Sequence, residues 1–439
     1  MVLSSINTSQ KTIILSAILA FFPISYVAGS LIINLNILVF VMMGVLICGK
    51  EIFNFRIVNI DKLFILLFLY IFFVGLFNAF ENAYFEKSLD IDFTVLKKSF
   101  LYLRYFLFYF TIRILFEKKL INLKILIGVA LIASLFVSLD LIFQFINGKD
   151  IFGYEKIGRK YPGPFGDEAI AGGYLQRFSI LGVFYFLLFN NFNNKLQIFS
   201  VIFLLILFIF SIIISGNRMP LILFLLSIIL IFIFDSKLRK YIIFILLIST
   251  LTIFLAIKTS PVIKMNFSSF VQQITWSYDY LRASKETRDK IWYKHYPHYL
   301  YDFSTSYETW KMNKYIGGGI KSFRVNCTNR DKVTEKWRAW SCNIHPHNYY
   351  LEILTELGVF GFILIFIILI KILYISLIKN DYLVTKIKFN KLITPFTLVF
   401  ISEMFPIRSS GSFFTTNNSA FIFLLLAIIV SLSKNKDLN

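Results

Sequence analysis

The sequence predicts an all-α polytopic membrane protein with about twelve transmembrane helices. Of the 439 residues, 57% are hydrophobic, 52 are Phe, and the mean hydropathy is +0.71. The core of a soluble globule of this size could not bury so much apolar surface. The apolar residues are also gathered into runs long enough to cross a bilayer. A water-soluble fold is therefore excluded.

Twelve apolar runs carry the prediction of transmembrane helices. The first run has no small-residue cleavage site behind a short apolar core, so we expect a retained helix and not a removed signal peptide. The runs cover residues 12–28, 31–48, 63–80, 99–116, 125–146, 174–190, 196–215, 219–234, 241–257, 347–370, 392–408 and 418–433.

The longest polar stretch, residues 258–346, separates nine of these runs from the last three. It alone is long enough for a sizeable extramembrane subdomain, and an intermittent apolar face over 268–301 predicts a helix within it. We expect three regions: transmembrane helices in 1–257, a mostly helical outer loop in 258–346, and three further transmembrane helices in 347–439.

Lys and Arg residues in the short connections predict the orientation, because cytoplasmic loops are enriched in them. A cytoplasmic N-terminus places all of these clusters, and both termini, inside. The stretches 81–98, 147–173, 215–219 and 258–346 then face the periplasm. The inside clusters are Lys50, Arg56 and Lys62; Lys118, Lys119 and Lys124; Lys195; Lys237, Arg239 and Lys240; Lys371, Lys379, Lys386, Lys388 and Lys391; and Lys434 and Lys436.

The net charge of +20 does not indicate nucleic-acid binding, because no basic domain with interleaved aromatic residues stands apart from the membrane runs. Of the three cysteines, Cys48 lies in an apolar run, and Cys327 and Cys342 share the long outer stretch. We expect the latter two to form a disulfide in an oxidising compartment. Two Cys and two His at this spacing fit no common zinc pattern, so no metal is expected.

Two histidines lie where the outer stretch enters the tenth apolar run, in His345-Pro346-His347-Asn348. Proline fixes the backbone there, and the His and Asn side chains offer proton donors and acceptors. Imidazole exchanges protons near neutral pH. From the residues alone, the two histidines could either serve as a base or cap an interfacial helix.

Three arginines lie close to the predicted membrane. Arg218 occupies a short outer turn, where the positive-inside preference disfavours it, so we expect an anionic partner such as a substrate phosphate or a lipid headgroup. Arg104, near the outer end of the fourth run, could hold an anionic substrate or form an internal hydrogen bond. Arg113, near the cytoplasmic end of that run, is expected to extend its guanidinium to the interface.

The outer stretch 158–175 is rich in Gly and Pro, which turn the backbone and allow close approach to a ligand. Arg159 and Lys160 could contact phosphate or sugar. Asp167 and Glu168 could order the loop or bind sugar hydroxyls, or simply complete a tight turn. Three glycines at 317–319 fit neither a P-loop nor a dinucleotide fingerprint, which predicts a scaffold role.

The histidine motif resembles the signature of the O-antigen ligase and polymerase family, His-x-His-Asn-x-x-Leu followed by Glu-x-Gly-x-x-Gly. Similar family elements occur at residues 159–168, at the 215–218 turn, at 287–292, at 317–323 and at 406–418. The signature positions matched here are His347, Asn348, Leu351, Glu356, Gly358 and Gly361.

The resemblance implies a GT-C-like glycosyltransferase of the bacterial inner membrane, working on its periplasmic face without a cofactor. Members of the family move a glycan from an undecaprenyl diphosphate carrier onto an acceptor hydroxyl. The acceptor favoured here is lipid A core, which would make the protein a ligase in lipopolysaccharide biosynthesis. A second carrier-linked glycan, as in a polymerase, and a protein Ser or Thr are the alternatives.

The resemblance also implies roles for individual residues. His347, or else His345, would be the catalytic base, and Arg218 and Arg288, with Arg159, would bind the diphosphate. Further candidates for substrate or structural contacts are Asn348, Glu356, Arg104, Asp167 and Glu168. A transporter or flippase is the alternative from another class, although the polar motifs gather at one surface and no internal repeat is visible.

Overall fold

The computed structural model describes residues 7–85, 93–189, 194–234, 239, 241–284, 286–288, 298–329, 342–378, 392–409 and 411–434. Within these ranges the protein consists of α-helices, short 3-10 and π segments and loops, without a β-strand. The helices are α1 Thr8–Ala20, α2 Phe22–Val27, α3 Ser30–Cys48, α4 Asn59–Phe85, α5 Thr94–Glu117, α6 Leu123–Asn147, α7 Ala171–Phe189, α8 Asn194–Ser215, α9 Arg218–Phe234, α10 Ile242–Thr259, α11 Pro261–Arg282, α12 His298–Trp310, α13 Phe323–Asn326, α14 Tyr349–Leu373, α15 Ile393–Glu403 and α16 Thr416–Lys434.

The prediction of an all-α polytopic membrane protein is confirmed. Nine described helical segments are long and apolar enough to cross a membrane, or ten if the bent pair α10 and α11 counts as one span. The predicted runs at α9 and α15 coincide with helices that are shorter than a usual span. All twelve predicted runs therefore coincide with helical segments.

Apolar side chains occur both inside and outside the bundle, which is the arrangement expected of a protein surrounded by lipid. Helix α16 lies in the interior, with Phe421, Leu425 and Ile428 fully buried. Helix α3 presents Leu31 and Leu38 outward, with exposed fractions of 69% and 53%.

The two ends of the bundle differ in what they hold. At one end, called the motif end, lie the turn between α8 and α9, the beginning of α14 and the end of α15. At the opposite end, the beginning of α1, the α5–α6 connection and the end of α16 line one cavity that includes Thr12, Asn122 and Leu432. The described beginning and end of the chain therefore lie together, away from the histidine motif.

The helix predicted within 268–301 is present but interrupted in the described part of that range. Helix α11 already begins at Pro261, bends by 114° from α10, and ends at Arg282, after which Ala283 and Ser284 are not helical. The predicted apolar positions Ile291 and Trp292 lie outside the described residues, as do the basic residues predicted at 379–391.

Helix α14 is broken at Gly358, whose φ of 63° lies in the left-handed region. The backbone of 314–319 binds to this break. The amides of Gly318 and Gly319 donate to the carbonyls of Thr355 and Glu356, and the Val359 amide donates to the Lys314 carbonyl. A Cβ on Gly358 would overlap the Tyr315 carbonyl. The glycine-rich run is thus a backbone clasp, in line with the predicted scaffold role.

Candidate functional site

The site is built on the histidine segment, residues 342–348, which is held at both ends. A disulfide joins Cys342 to the buried Cys327 at the end of α13, so the predicted bridge is confirmed. In the middle, the Asn343 amide donates to Asp302 on α12 over 3.0 Å. The segment is therefore attached to both outer helices before it enters the membrane helix α14.

Asn348 anchors the other end of the histidine segment. Its side-chain oxygen accepts from the amides of Tyr350 and Leu351, at 3.0 and 3.1 Å, and so caps the N-terminus of α14. Its side-chain nitrogen donates to the carbonyls of Pro406 and Arg408, at 2.9 and 3.0 Å. All of these partners are protein groups, so the geometry gives Asn348 a structural role.

The two histidine rings lie against each other, with centroids 4.3 Å apart. His347 has a φ of 57°, a left-handed conformation that is uncommon for a residue other than Gly. Such backbone strain persists only where the surroundings fix it, and here Asn348 directly follows. His347 is therefore held in one orientation at the entrance to α14.

Burial and neighbouring cations favour neutral imidazoles. Burial, followed by the charges of His347 and Arg324, lowers the pKa of His345 to about 4. Burial, followed by the charge of Lys160, lowers the pKa of His347. A ring that is neutral at neutral pH can accept a proton.

The loop 158–171 and the 215–218 turn lie together beside His347. The Asn217 side chain bridges them, since it accepts from the Gly172 amide and donates to the Ala169 carbonyl. The fold thus brings the glycine-rich loop and the Arg218 turn together.

Arg159 and Arg218 both contact the first turns of α11. The Asn266 side chain donates to the Arg159 carbonyl over 2.9 Å, and the Asn266 carbonyl accepts from the Arg218 guanidinium over 3.3 Å. The Arg159 guanidinium donates to Ser269 over 3.1 Å. With Lys160, these residues form the first cationic cluster, composed of Arg159, Lys160 and Arg218.

The remaining candidates lie apart from this cluster or have internal partners. Arg288 donates to the carbonyls of Ala283 and Leu281, at the end of α11. Arg104 donates to the Leu101 carbonyl and the Tyr105 hydroxyl, which is the internal bonding that the sequence left open. Asp167 and Glu168 are exposed on the loop.

Glu352 and Glu356 lie one helical turn apart on α14, and each is only 1% exposed. Glu352 accepts from the Ser412 hydroxyl and the Phe413 amide, which attaches the turn before α16 to α14. One carboxylate oxygen of Glu356 is buried without a hydrogen-bond partner among the described residues. These two buried acids thus lie on the first turns of the helix that the histidine segment enters.

Sequence reasoning missed a buried ionic cluster below His347, made by Glu403, Arg177 and Arg408. Arg177 contacts both oxygens of Glu403, at 2.7 and 2.9 Å, and Arg408 contacts Glu403 at 2.8 Å. Tyr349 donates to the same carboxylate over 2.7 Å. An arginine inside the sixth apolar run was the signal, since a charge there needs a partner.

Arg113 also differs from expectation. It is 1% exposed and does not extend to the interface, because its guanidinium binds both oxygens of Asp61 at 3.1 and 3.2 Å and the Ser431 hydroxyl at 3.2 Å. Asp61 also accepts from the Tyr109 hydroxyl. The expected interfacial role of Arg113 is wrong because a buried acid on α4 neutralises its charge.

A comparison with known protein families matches the part of the chain that holds most of the site. Residues 202–366 match the family model described as O-antigen ligase. This range contains Arg218, Arg288, both cysteines of the disulfide and the complete histidine motif through Gly361. A search among curated proteins found no match. The chain is a multi-pass membrane protein in which residues 202–366 are similar to the O-antigen ligase family, the family that its histidine motif resembles.

Proposed function

We propose that this protein transfers a glycan from an undecaprenyl-diphosphate-linked donor to an acceptor hydroxyl at the periplasmic face of the bacterial inner membrane. The observation that carries the proposal is the position of His347. It is a fixed imidazole with a lowered pKa, beside the first cationic cluster and at the entrance to a membrane helix. A base and an anion-binding group thus meet where a lipid carrier could present its head.

In the proposed reaction, the acceptor oxygen attacks the anomeric carbon while His347 takes the hydroxyl proton. The bond from that carbon to the diphosphate oxygen breaks, and its electron pair leaves with the carrier diphosphate. Arg218 and Lys160 would stabilise this developing anion, and Arg159 would support it. A single displacement of this kind inverts the anomeric configuration.

His345 and Arg288 would have secondary roles in the reaction. His345 contacts His347 through its ring and would serve as the alternative base. Arg288 lies at the end of α11, and it would reach the diphosphate only if the donor extends along that helix. Asp167 and Glu168 on the exposed loop would meet sugar hydroxyls of the donor.

Charge and redox chemistry support the proposed orientation. Among the described residues, Arg56 and Lys371 line one cavity with Ser433, and Lys119 and Lys124 line another with Leu432. These basic connections lie at the end of the bundle away from the histidine segment, which favours a cytoplasmic location for that end. The disulfide favours an oxidising compartment for the motif end. Reporter fusions at Ser306 and Asn390 should therefore report opposite sides; signals from the same side would contradict the orientation.

The central experiment uses the purified protein in lipid nanodiscs with a carrier-linked glycan and an acceptor. His347→Ala should lower turnover by about 10² to 10⁴ while donor binding persists. His298→Ala, in the same outer subdomain, is the matched control and should retain activity. If His345→Ala alone loses turnover, His345 is the base. If neither variant loses it, these histidines only shape the helix entrance.

A second comparison tests the cationic cluster. A guanidinium pairs with phosphate oxygens in a geometry that an ammonium cannot reproduce, so Arg218→Lys should weaken transfer. Arg282→Lys, at the end of α11, is the matched control. Equal turnover of Arg218→Lys and the native protein would exclude a bidentate role.

Deleting the gene would identify the acceptor. Surface glycan that remains unattached indicates ligation to lipid A core, which we favour, and short glycan indicates polymerisation. Glycan missing only from protein would indicate transfer to Ser or Thr.

A further inference from the structure

A second group of cations lies near His345, whereas the first lies near His347. Lys321 and Arg324 belong to the turn and short helix α13 that follow the glycine clasp, and their surroundings include Lys98 and Arg104 of α5. We call these four residues the second cationic cluster. The charge of Arg324 acts on His345, whereas Lys160 acts on His347. Each histidine thus has a different positive region as its neighbour.

The backbone holds the second cluster in a fixed place. Lys321 has a φ of 61°, a left-handed conformation, within a turn closed by the Ser322 amide on the Gly319 carbonyl at 3.1 Å. The Gly319 amide in turn donates to the Glu356 carbonyl on α14. The disulfide joins Cys327, three residues after Arg324, to the histidine segment. Lys321 and Arg324 are therefore fixed relative to both histidines.

Lys321 and Arg324 have no ion-pair partner within the described part of the chain. The buried carboxyl groups near Lys321 among those residues are Glu352 and Glu356. Glu352 is engaged by Ser412 and the Phe413 amide. Within the described part of the chain, neither the Lys321 ammonium nor the Arg324 guanidinium has a hydrogen bond or ion pair.

Crowding of like charges is unfavourable, and its effect is visible on Lys321. Burial, followed by the charge of Arg324, lowers the pKa of the Lys321 ammonium, while Glu356 opposes this change. A bound anion would remove the repulsion. Fixed cations with unused donors at an outer surface are the chemistry of an anion site.

We propose that Lys321 and Arg324 bind an anionic group, a phosphate or a carboxylate, of the acceptor glycan. This inference rests on the proposed transferase function, in which the first cluster holds the donor diphosphate. An acceptor fixed by its anionic group at the second cluster would present a neighbouring hydroxyl to the histidines while the first cluster holds the leaving diphosphate. Two separate anion sites would keep acceptor and donor apart.

A binding experiment tests the site without any transfer reaction. The full-length protein is placed in nanodiscs of phosphatidylcholine only, and its affinity for glucose 6-phosphate is compared with that for glucose. The phosphorylated sugar should bind at least tenfold more tightly. Arg324→Gln and Lys321→Asn should each remove most of this preference; Asn is chosen because it tolerates a positive φ. Lys314→Gln, an exposed lysine on the same segment, is the control and should leave the preference unchanged.

Equal affinity for the two sugars, or a preference that survives both substitutions, would overturn the proposal. So would displacement of the sugar phosphate by added phosphatidylglycerol with the same dependence on Arg324, because the cluster would then be a lipid-headgroup site. If the native protein shows no transfer but retains the preference, the proposed function fails and the anion site stands.

A kinetic experiment assigns the site to the acceptor. For an anionic acceptor, Arg324→Gln should raise the acceptor KM by about tenfold, which corresponds to about 1.4 kcal/mol, and leave the donor KM unchanged. Enzymatic removal of the acceptor's phosphate should produce a similar loss in the native protein and little further loss in Arg324→Gln. A rise in the donor KM with an unchanged acceptor KM would overturn the assignment to the acceptor.

Discussion

Two buried ionic clusters, one at each end of the bundle, differ in charge balance and in what they support. Away from the motif, one guanidinium meets one carboxylate: Arg113 and Asp61 are 1% and 0% exposed at their side chains. At the motif end, Glu403 is shared by Arg177 and Arg408, with side-chain exposures of 0%, 5% and 5%. The pair of Asp61 and Arg113 is neutral, whereas the motif-end cluster of Glu403, Arg177 and Arg408 has one positive charge in excess.

The neutral pair and its hydrogen-bond partners connect only membrane helices, since these residues lie on α4, α5 and α16. The motif-end cluster contacts Tyr349, two residues after His347, and it includes Arg408, whose carbonyl anchors Asn348. A buried ion pair is by itself weak evidence of stabilisation. The motif-end cluster therefore has a positioning role that the neutral pair lacks.

The largest expected effect comes from removing the acid of each cluster. Asp61→Ala removes the carboxylate from one buried guanidinium and Glu403→Ala removes a shared carboxylate from two, so each should lower the free energy of unfolding by about 3 to 5 kcal/mol. Glu403→Ala should be the more damaging. Thermal unfolding of the purified protein in one detergent measures both. An unchanged midpoint for Glu403→Ala would contradict the view that this acid neutralises the arginines.

The disulfide provides a covalent comparison with the ionic anchor of the histidine segment. Its closure of a 15-residue separation predicts a loss of about 3 kcal/mol when both cysteines become Ser. A reductant should lower the unfolding midpoint of the native protein but not that of the double variant. The buried Cys48 is the control, and Cys48→Ala should keep the response to reductant. An equal response of native protein and double variant would contradict the anchoring role.

A matched pair of tyrosines separates positioning from stability. Tyr349 donates to Glu403 over 2.7 Å, and Tyr109 donates to Asp61 over 2.8 Å. Tyr349→Phe and Tyr109→Phe should each lower the free energy of unfolding by about 1 to 3 kcal/mol, because each removes a hydrogen bond to a charged group. Only Tyr349→Phe should also lower kcat, with KM retained. Equal effects of the two on kcat would refute a positioning role for the motif-end cluster.

The smallest effect concerns pH. The pKa of His347 is lowered by burial and by the charge of Lys160, so the ring stays neutral to a lower pH than free imidazole, whose pKa is about 6.5. The kcat/KM of transfer should therefore fall to half its plateau at a pH below 6.5. Lowered histidine pKa values also mean that stability falls as pH drops below about 6.5, where the unfolded chain takes up protons first. A kinetic midpoint at or above 6.5 would exclude His347 as the titrating base.

Sequence patterns predicted the helices and the histidine segment because both depend on local signals. Runs of apolar residues set the twelve helical regions, and the spacing of Cys327 and Cys342 in one outer stretch predicted their bond. The bend between α10 and α11 was missed, since Ser260 and Pro261 end one helix and begin the next without an intervening polar stretch.

The buried ionic clusters could not be assembled from the sequence because their partners are remote. Arg177 and Glu403 are 226 residues apart, and Asp61 and Arg113 are 52 apart. The sequence revealed charges within apolar runs, but only packing pairs them. The strained backbone of His347 is likewise visible only in three dimensions, since the sequence has no Gly at this position to indicate a positive φ.

The glycine clasp on α14 limits how this architecture can be recombined. The amides of Gly318 and Gly319 and the carbonyl of Lys314 bind the backbone at the Gly358 break, and neither Gly317 nor Gly358 has room for a side chain. The outer subdomain is thus attached to the membrane helix α14 by hydrogen bonds between main-chain atoms. A chimera that takes its outer subdomain from a relative would need both halves of the clasp from compatible backbones. Substitutions within the subdomain should therefore be tolerated better than replacement of the whole subdomain.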